Sequence, residues 1–337
     1  MNSTVTNLPK SRIEVKGTLP ASTFDEWVKK ATAVFVENTE IQGFRKGKAP
    51  EKMVVESVGD GRILEAAAEK ALQAEWPTIL AEHKIEAIGP AEFHILKLAR
   101  GNDLEWKAEV TILPVITLPD YKTIAKEANT KKEKIDPEPT EKEIEETLQY
   151  IARSRTEEGK EPPTIDDDYA RVIGNFSDLA ALKKSIEDGI RLEKDQKNRE
   201  AHRMAIITTI AEIIMMDIPD LLITMEKEKM LHELQSSIAE MGLEWNKYLE
   251  HLKKTEESLK QEWDKDAEKR VRVAFSLREI ARTESIEPSP EEIKEKVDYY
   301  LAPYSEEEQA NLDHHRIEEY ARGTIRNEKV FQLLETC

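Results

Sequence analysis

Apolar and polar residues alternate over Arg12–Leu19, placing Ile13, Val15 and, past Gly17, Leu19 on one face of an extended chain. A period of two marks a half-buried strand. The period then changes: Phe24, Trp27, Val28, Ala31 and Phe35 recur close to i, i+3, i+4 and i+7. That spacing predicts a helix, with Ser22 or Thr23 as its cap. Leu64, Ala67, Ala68, Ala71, Leu72 and Trp76 predict a second helix from Ile63 to His83. Two strands are predicted next, Ala91–Leu98 and Leu104–Leu113, joined at Arg100-Gly101-Asn102-Asp103, a composition suited to a hairpin turn.

Beyond Pro119 the helical period takes over. Thr140 and Glu143 have capping-box spacing, and Ile144, Leu148 and Ile151 continue one face of an arm helix that ends near Arg155. The stretch Glu157–Pro163 interrupts the pattern. Leu179, Leu182, Ile186 and Ile190 predict a long helix from Ser177 through Met204–Met216. Pro219 suits the first turn of another helix, and Gly242 suits its end. Thr255 or Ser258 begins a helix bearing Leu259, Trp263, Val271 and Phe275. Ser289–Glu292 and Ser305–Glu308 read as capping boxes, and a last helix carries Ile317, Tyr320, Ala321, Ile325, Phe331 and Leu334. The expected class is α+β: an N-terminal mixed α/β domain followed by an extended all-α domain with helical arms.

Composition sharpens this division. Of 337 residues, 35% are charged and only 6% aromatic, which favours long solvated helices over one thick core. Residues 1–118 carry 15 basic and 17 acidic side chains, whereas the rest carries 35 and 51. The shift, flanked by Pro114 and Pro119, marks a domain boundary. The expected organisation is 1–118, a linker and arm over 119–164, and a helical domain over 165–337. The one cysteine, Cys337, rules out an intrachain disulfide and points to a reducing compartment. MNSTVTNLPKSR has no apolar core of a secretory signal, and the apolar run near Met204–Ile218 is too short to span a bilayer. A cytoplasmic protein without a membrane partner is expected.

No catalytic signature stands out. The histidines are scattered, the carboxylates are too numerous for their pairing to mean anything, and neither phosphate-binding glycine motif occurs. No catalytic residue, cofactor or metal site is expected. The distinctive stretch is IQGFRKGKAP at 41–50. Arg45, Lys46 and Lys48 alone would be a solvated turn, but Phe44 between glycines costs solubility unless a partner covers it. Gly43 and Gly47 permit sharp turns, and Pro50 can start a helix at Glu51. An apolar knob ringed by cations suits an RNA–protein surface, with phosphate attraction for affinity and the ring for register.

Gly43–Pro50, G-F-R-K-G-K-A-P, resembles the ribosome-docking signature of the trigger factor family, chaperones that meet nascent chains at the exit tunnel. The order of elements over 10–118 is similar to that family's ribosome-binding domain. Ile165–Gly174 with Phe176–Leu179 is similar to the start of its helical C-terminal domain. The resemblance implies ribosome contacts by Gly43, Phe44, Arg45, Lys46, Gly47, Lys48 and Pro50, to large-subunit protein and RNA near the tunnel exit. It also implies an ATP-independent holdase for nascent and unfolded polypeptides, with a homodimer off the ribosome as a further possibility. Met204, Met215, Met216, Met225, Met230 and Met241 are candidate client contacts, since methionine adapts to varied partners; taken one by one, each reads first as an ordinary core residue. One departure matters. Most members insert an FKBP-type prolyl isomerase domain, but about ten residues separate the arm helix from the helical body here, far short of a domain of about 50. The isomerase activity is therefore not expected. The alternatives are an isomerase of unrecognised type, a helical scaffold or adaptor unconnected with ribosomes, and a periplasmic chaperone with similar arms.

Overall fold

The computed structural model describes residues 2–131, 137–156 and 161–337. Residues 157–160 of the predicted Glu157–Pro163 interruption lie outside the described residues. Along the chain run β1 (Asn2–Leu8), β2 (Arg12–Leu19), α1 (Ala21–Asn38), α2 (Glu51–Val58), α3 (Asp60–Glu82), β3 (Ala87–Lys97), β4 (Leu104–Ile112) and β5 (Ile116–Thr117). Then come α4 (Tyr121–Thr130), α5 (Glu141–Ser154), α6 (Asp167–Gly174), α7 (Leu179–Ile213), β6 (Met215–Met216) and α8 (Asp220–Glu240). The chain continues through α9 (Trp245–Leu252), α10 (Glu256–Glu262), α11 (Asp264–Thr283), α12 (Pro290–Leu301), α13 (Glu306–Ala310) and α14 (His314–Glu335). This is the α+β class that the periodicity predicts.

The chain divides into two compact units, each built from two stretches. One comprises the residues up to Thr117 with Met215–Val271; the other comprises Leu118–Ile214 with Arg272–Cys337.

In the first unit an antiparallel sheet has the order β1-β2-β4-β3. Ile13, Val15 and Leu19 pair with Val110, Ala108 and Leu104, so the alternating apolar residues of both strands share one face. That face is covered by α1 and α3, whose Phe24, Val28, Ala31, Leu64, Ala67, Ala68, Ala71 and Leu72 are buried. Trp76, Phe93 and Trp106 meet edge to face, with ring centroids 5.2–6.4 Å apart, an arrangement aromatic rings prefer. Elsewhere in this unit Lys10 forms an ion pair with Asp220 at 2.7 Å, and the Ser11 amide donates to the Asp217 carboxylate. These contacts tie the β1–β2 turn to the start of α8.

The second unit contains two apolar clusters. Tyr121 and Ala125 of α4 pack with Ile206, Ile207 and Ile210 of α7, Leu277 and Ile280 of α11, and Val330 and Leu334 of α14. Arg203 binds Glu328 and Glu335 through paired hydrogen bonds of 2.8–3.0 Å, and Arg199 adds another pair to Glu335. A smaller cluster joins Leu148 of α5, Ala170 of α6 and Leu182 of α7, with Ile144 at its rim. Ile151 is only half-buried and outside this cluster, and Ala152 is buried one residue further on.

The capping boxes at Thr140, Ser289 and Ser305 form as their spacing predicts. Other expectations need correction. Neither Ser22 nor Thr23 caps α1: Pro20 holds that position, and the helix starts at Ala21. β1 has no apolar alternation to announce it, and it forms by pairing along β2. The long helix stops at Ile213 rather than continuing to Met216, since Ile214 turns extended and Met215–Met216 pair with Ile116–Thr117. Pro219 is the N-cap of α8 rather than its first residue. The helix predicted through Trp263 is two, α10 and α11, with Trp263 between them, and α9 forms where no helix was predicted.

Candidate functional site

The loop over 41–50 links α1 to α2 through two successive turns. The Phe44 amide donates to the Ile41 carbonyl at 3.0 Å, and the Lys48 amide donates to the Arg45 carbonyl at 2.9 Å. Each turn has glycine in its third position, Gly43 at φ +91° and Gly47 at φ +76°. A type II turn demands that positive φ, and only glycine adopts it without strain. Pro50 is the N-cap of α2, its carbonyl accepting from the amides of Met53 and Val54.

The two turns sort the side chains. Ala49 is buried, whereas Phe44, Arg45, Lys46, Lys48 and Pro50 are exposed. Phe44 keeps 41% of its surface accessible, high for a phenylalanine in a folded chain. None of the three cations pairs with a carboxylate among the described residues. The structure thus brings all the predicted loop residues together on one tip, with the ring and the charges free to meet a partner.

The six methionines are not gathered in the same way. Met204 lies on α7 in the second unit; Met215 and Met216 form β6, and Met225, Met230 and Met241 lie on or just past α8 in the first. Met204, Met215, Met225 and Met241 are exposed, Met241 to 71%, whereas Met216 and Met230 are half-buried. Met241 is followed by exposed Leu243, so the turn between α8 and α9 presents an apolar tip.

Sequence reading missed an aromatic surface in the second unit. Tyr300 lies 6.0 Å from Tyr299 and 5.6 Å from Tyr320, ring centre to ring centre, and the Lys296 ammonium stands over Tyr299 and Tyr300 at 5.1 and 5.2 Å. Tyr299 is 70% exposed and Tyr320 67%. A signal existed: Ile293, Val297 and Leu301 form the inward stripe of α12, and Tyr299 falls off it. Tyr320, by contrast, falls on the apolar stripe of the last helix, where nothing in the spacing sets it apart.

Among the described residues, no helix is long and apolar enough to cross a membrane.

Comparison with known proteins gives two family matches. Residues 1–151 match the bacterial trigger factor protein family, and residues 178–335 match the C-terminus of bacterial trigger factor protein. The stretch between them, 152–177, is too short for an inserted domain. Curated relatives include the trigger factor of Clostridium botulinum (strain Hall), 24% identical over 424 residues, covering 99% of this chain and 98% of that protein. The trigger factor of Clostridium kluyveri is 22% identical with the same coverage. These alignments exceed the 337 residues present here, so the relatives carry segments without a counterpart in this chain. A solved structure described under "Promiscuous Substrate Recognition in Folding and Assembly Activities of the Trigger Factor Chaperone" shares the fold. Its TM-score is 0.59 at 17% identity, with 100% of this chain and 99% of that one covered. With both ends matched and the full-length relatives aligned throughout, this chain belongs to the trigger factor family of ribosome-associated chaperones, as a variant without the isomerase domain.

Proposed function

We propose that the tip formed by Gly43–Pro50 is the ribosome anchor of this chaperone. Phe44, Arg45 and Lys46 meet large-subunit protein and RNA near the tunnel exit, with Lys48 adding charge and Gly43, Gly47 and Pro50 setting the loop's shape. The observation that carries this reading is the loop itself: two glycine turns that hold an apolar ring and three cations, without a carboxylate partner among the described residues, in solvent. Residues 1–118 act as the docking domain, 119–164 as linker and arm, and 165–337 as the helical body. Exposed apolar groups hold nascent and unfolded segments by many weak contacts, which release by exchange without ATP. Met204, Met215, Met225, Met241, Leu243 and the tyrosines near Lys296 are the contacts their exposure favours; Met216 and Met230 contribute less. The same exposed groups support self-association off the ribosome, and the reducing-compartment composition supports a cytoplasmic location.

The test is co-sedimentation with ribosomes. Phe44→Ala, Arg45→Ala and Lys46→Ala combined should abolish association and leave the circular dichroism spectrum unchanged, because none of the three side chains is in the core. Undiminished co-sedimentation of the triple variant would overturn the assignment.

A further inference from the structure

We propose that the outer edge of β1 is a client-docking site, at which an extended segment of a non-native polypeptide adds as a fifth strand. The proposal rests on the chaperone reading and deepens it. Among the described residues β1 is an edge strand that pairs only with β2, in unbroken register over its 7 residues. Its other side therefore presents a row of N–H and C=O groups with no strand among the described residues to receive them, and Thr4, Val5, Thr6 and Asn7 are all exposed.

The two edges of this sheet are treated differently. β3, at the far edge, carries Pro90, Glu92, His94 and Lys97, and its register shifts twice. Proline, charge and bulges are the devices by which proteins keep foreign strands off an edge. β1, Asn-Ser-Thr-Val-Thr-Asn-Leu, has no charge, no proline and no bulge. One edge is defended and the other is open.

The occupant follows from the chemistry of the edge. A row of main-chain donors and acceptors is matched only by another extended main chain, the mode of recognition by strand addition. Because β1 has a single apolar residue on each face, Val5 and Leu8, among polar ones, neither face sets a strong register on an added strand. That suits a partner of no fixed sequence. Near the strand, a cleft of about 640 Å³ lined by Ser3, Thr4, Lys16, Glu82 and Glu105 beside Trp106 can receive a polar side chain. The buried indole N–H of Trp106 has no hydrogen-bond partner among the described residues. A second copy of this chain is disfavoured, because a strand about 23 Å long buries far less than the roughly 800 Å² per partner of a stable dimer. Weak, transient occupancy is what a holdase uses.

The test is amide hydrogen exchange on the full chain, using an uncharged ten-residue threonine- and valine-rich peptide and its fully N-methylated twin. The unmethylated peptide should slow exchange across Ser3–Asn7 by about tenfold or more, leaving β3 unchanged, and the twin should have no effect. Thr4→Glu with Thr6→Lys charges the edge while matching the cross-strand neighbours Lys16 and Glu14. This variant should lose the protection yet keep its circular dichroism and ribosome co-sedimentation. Equal protection by the twin, or none at saturating peptide, would overturn the proposal. So would protection that rises with protein concentration without peptide, which would mean self-pairing. Aggregation suppression that persists without β1 protection sinks this inference alone, whereas its absence sinks the chaperone reading itself.

Discussion

At the scale of single residues, Gly47 and Glu335 carry the clearest consequences. A Cβ at Gly47 would stand 3.4 Å from the Glu37 carbonyl oxygen, and φ is +76°. Gly47→Ala should therefore cost about 1–2 kcal/mol locally and weaken ribosome co-sedimentation although no contact side chain is lost. Glu335 is held by Arg199 and Arg203, which lower its pKa to about 2. A depressed carboxylate pKa stabilises the fold above the unfolded value near 4.5, and the contribution disappears as pH falls from there towards 2. Glu335→Gln should cost about 1–3 kcal/mol at neutral pH. Urea unfolding at several pH values should show that deficit constant above about pH 5 and shrinking below pH 4.5. The glycine pair was legible in the sequence from its spacing. The Arg203–Glu335 pairing was not, because 132 residues separate the partners and 68 carboxylates compete for any such assignment.

At the scale of elements, α5 shows how far periodicity reaches. The capping box at Thr140 and Glu143 and the stripe through Ile144 and Leu148 are local properties, and both hold. Ile151, on the same predicted stripe, stays half-buried because the buried line of α5 runs through Leu148 and Ala152, four residues apart, and leaves Ile151 on its flank. Leu148→Ala should cost about 2–5 kcal/mol, and Ile151→Ala markedly less, under about 1.5 kcal/mol, in thermal unfolding. Equal losses would show that Ile151 lies as deep in the contact as Leu148. Thr140→Ala should cost about 1 kcal/mol through the lost cap. β1 makes the opposite point. Its polar residues signal nothing alone, and the strand exists because β2 supplies its hydrogen bonds.

For the whole molecule, the predictions concern binding. Three loop cations meeting phosphate should make log affinity for ribosomes fall with log salt at a slope of roughly −2 to −3, and removal of Arg45 and Lys46 should flatten it. The 119–337 portion, with 35 basic against 51 acidic residues, keeps exposed apolar surface soluble. The protein should therefore slow aggregation of a denatured client at about stoichiometric amounts without nucleotide. Refolding limited by X–Pro isomerisation, which takes tens to hundreds of seconds uncatalysed at about 25 °C, should not accelerate. Acceleration at trace concentration would restore the isomerase reading.

What the sequence determined by itself was whatever depends on neighbours in the chain: helix and strand periods, capping boxes, the glycine turns and the basic aromatic tip between them. Hydrogen bonds and dihedral limits act over a few residues, so a short stretch carries enough information to specify them. Tertiary structure alone decided which apolar residues are covered, that Met215–Met216 pair with Ile116–Thr117 rather than extend α7, that Tyr299, Tyr300 and Tyr320 share a surface, and that β1 lies open at an edge. Burial and tertiary pairing depend on partners that the fold brings together from outside the local stretch, as with Tyr300 and Tyr320 or Ile116 and Met216, and no local pattern encodes which partner arrives.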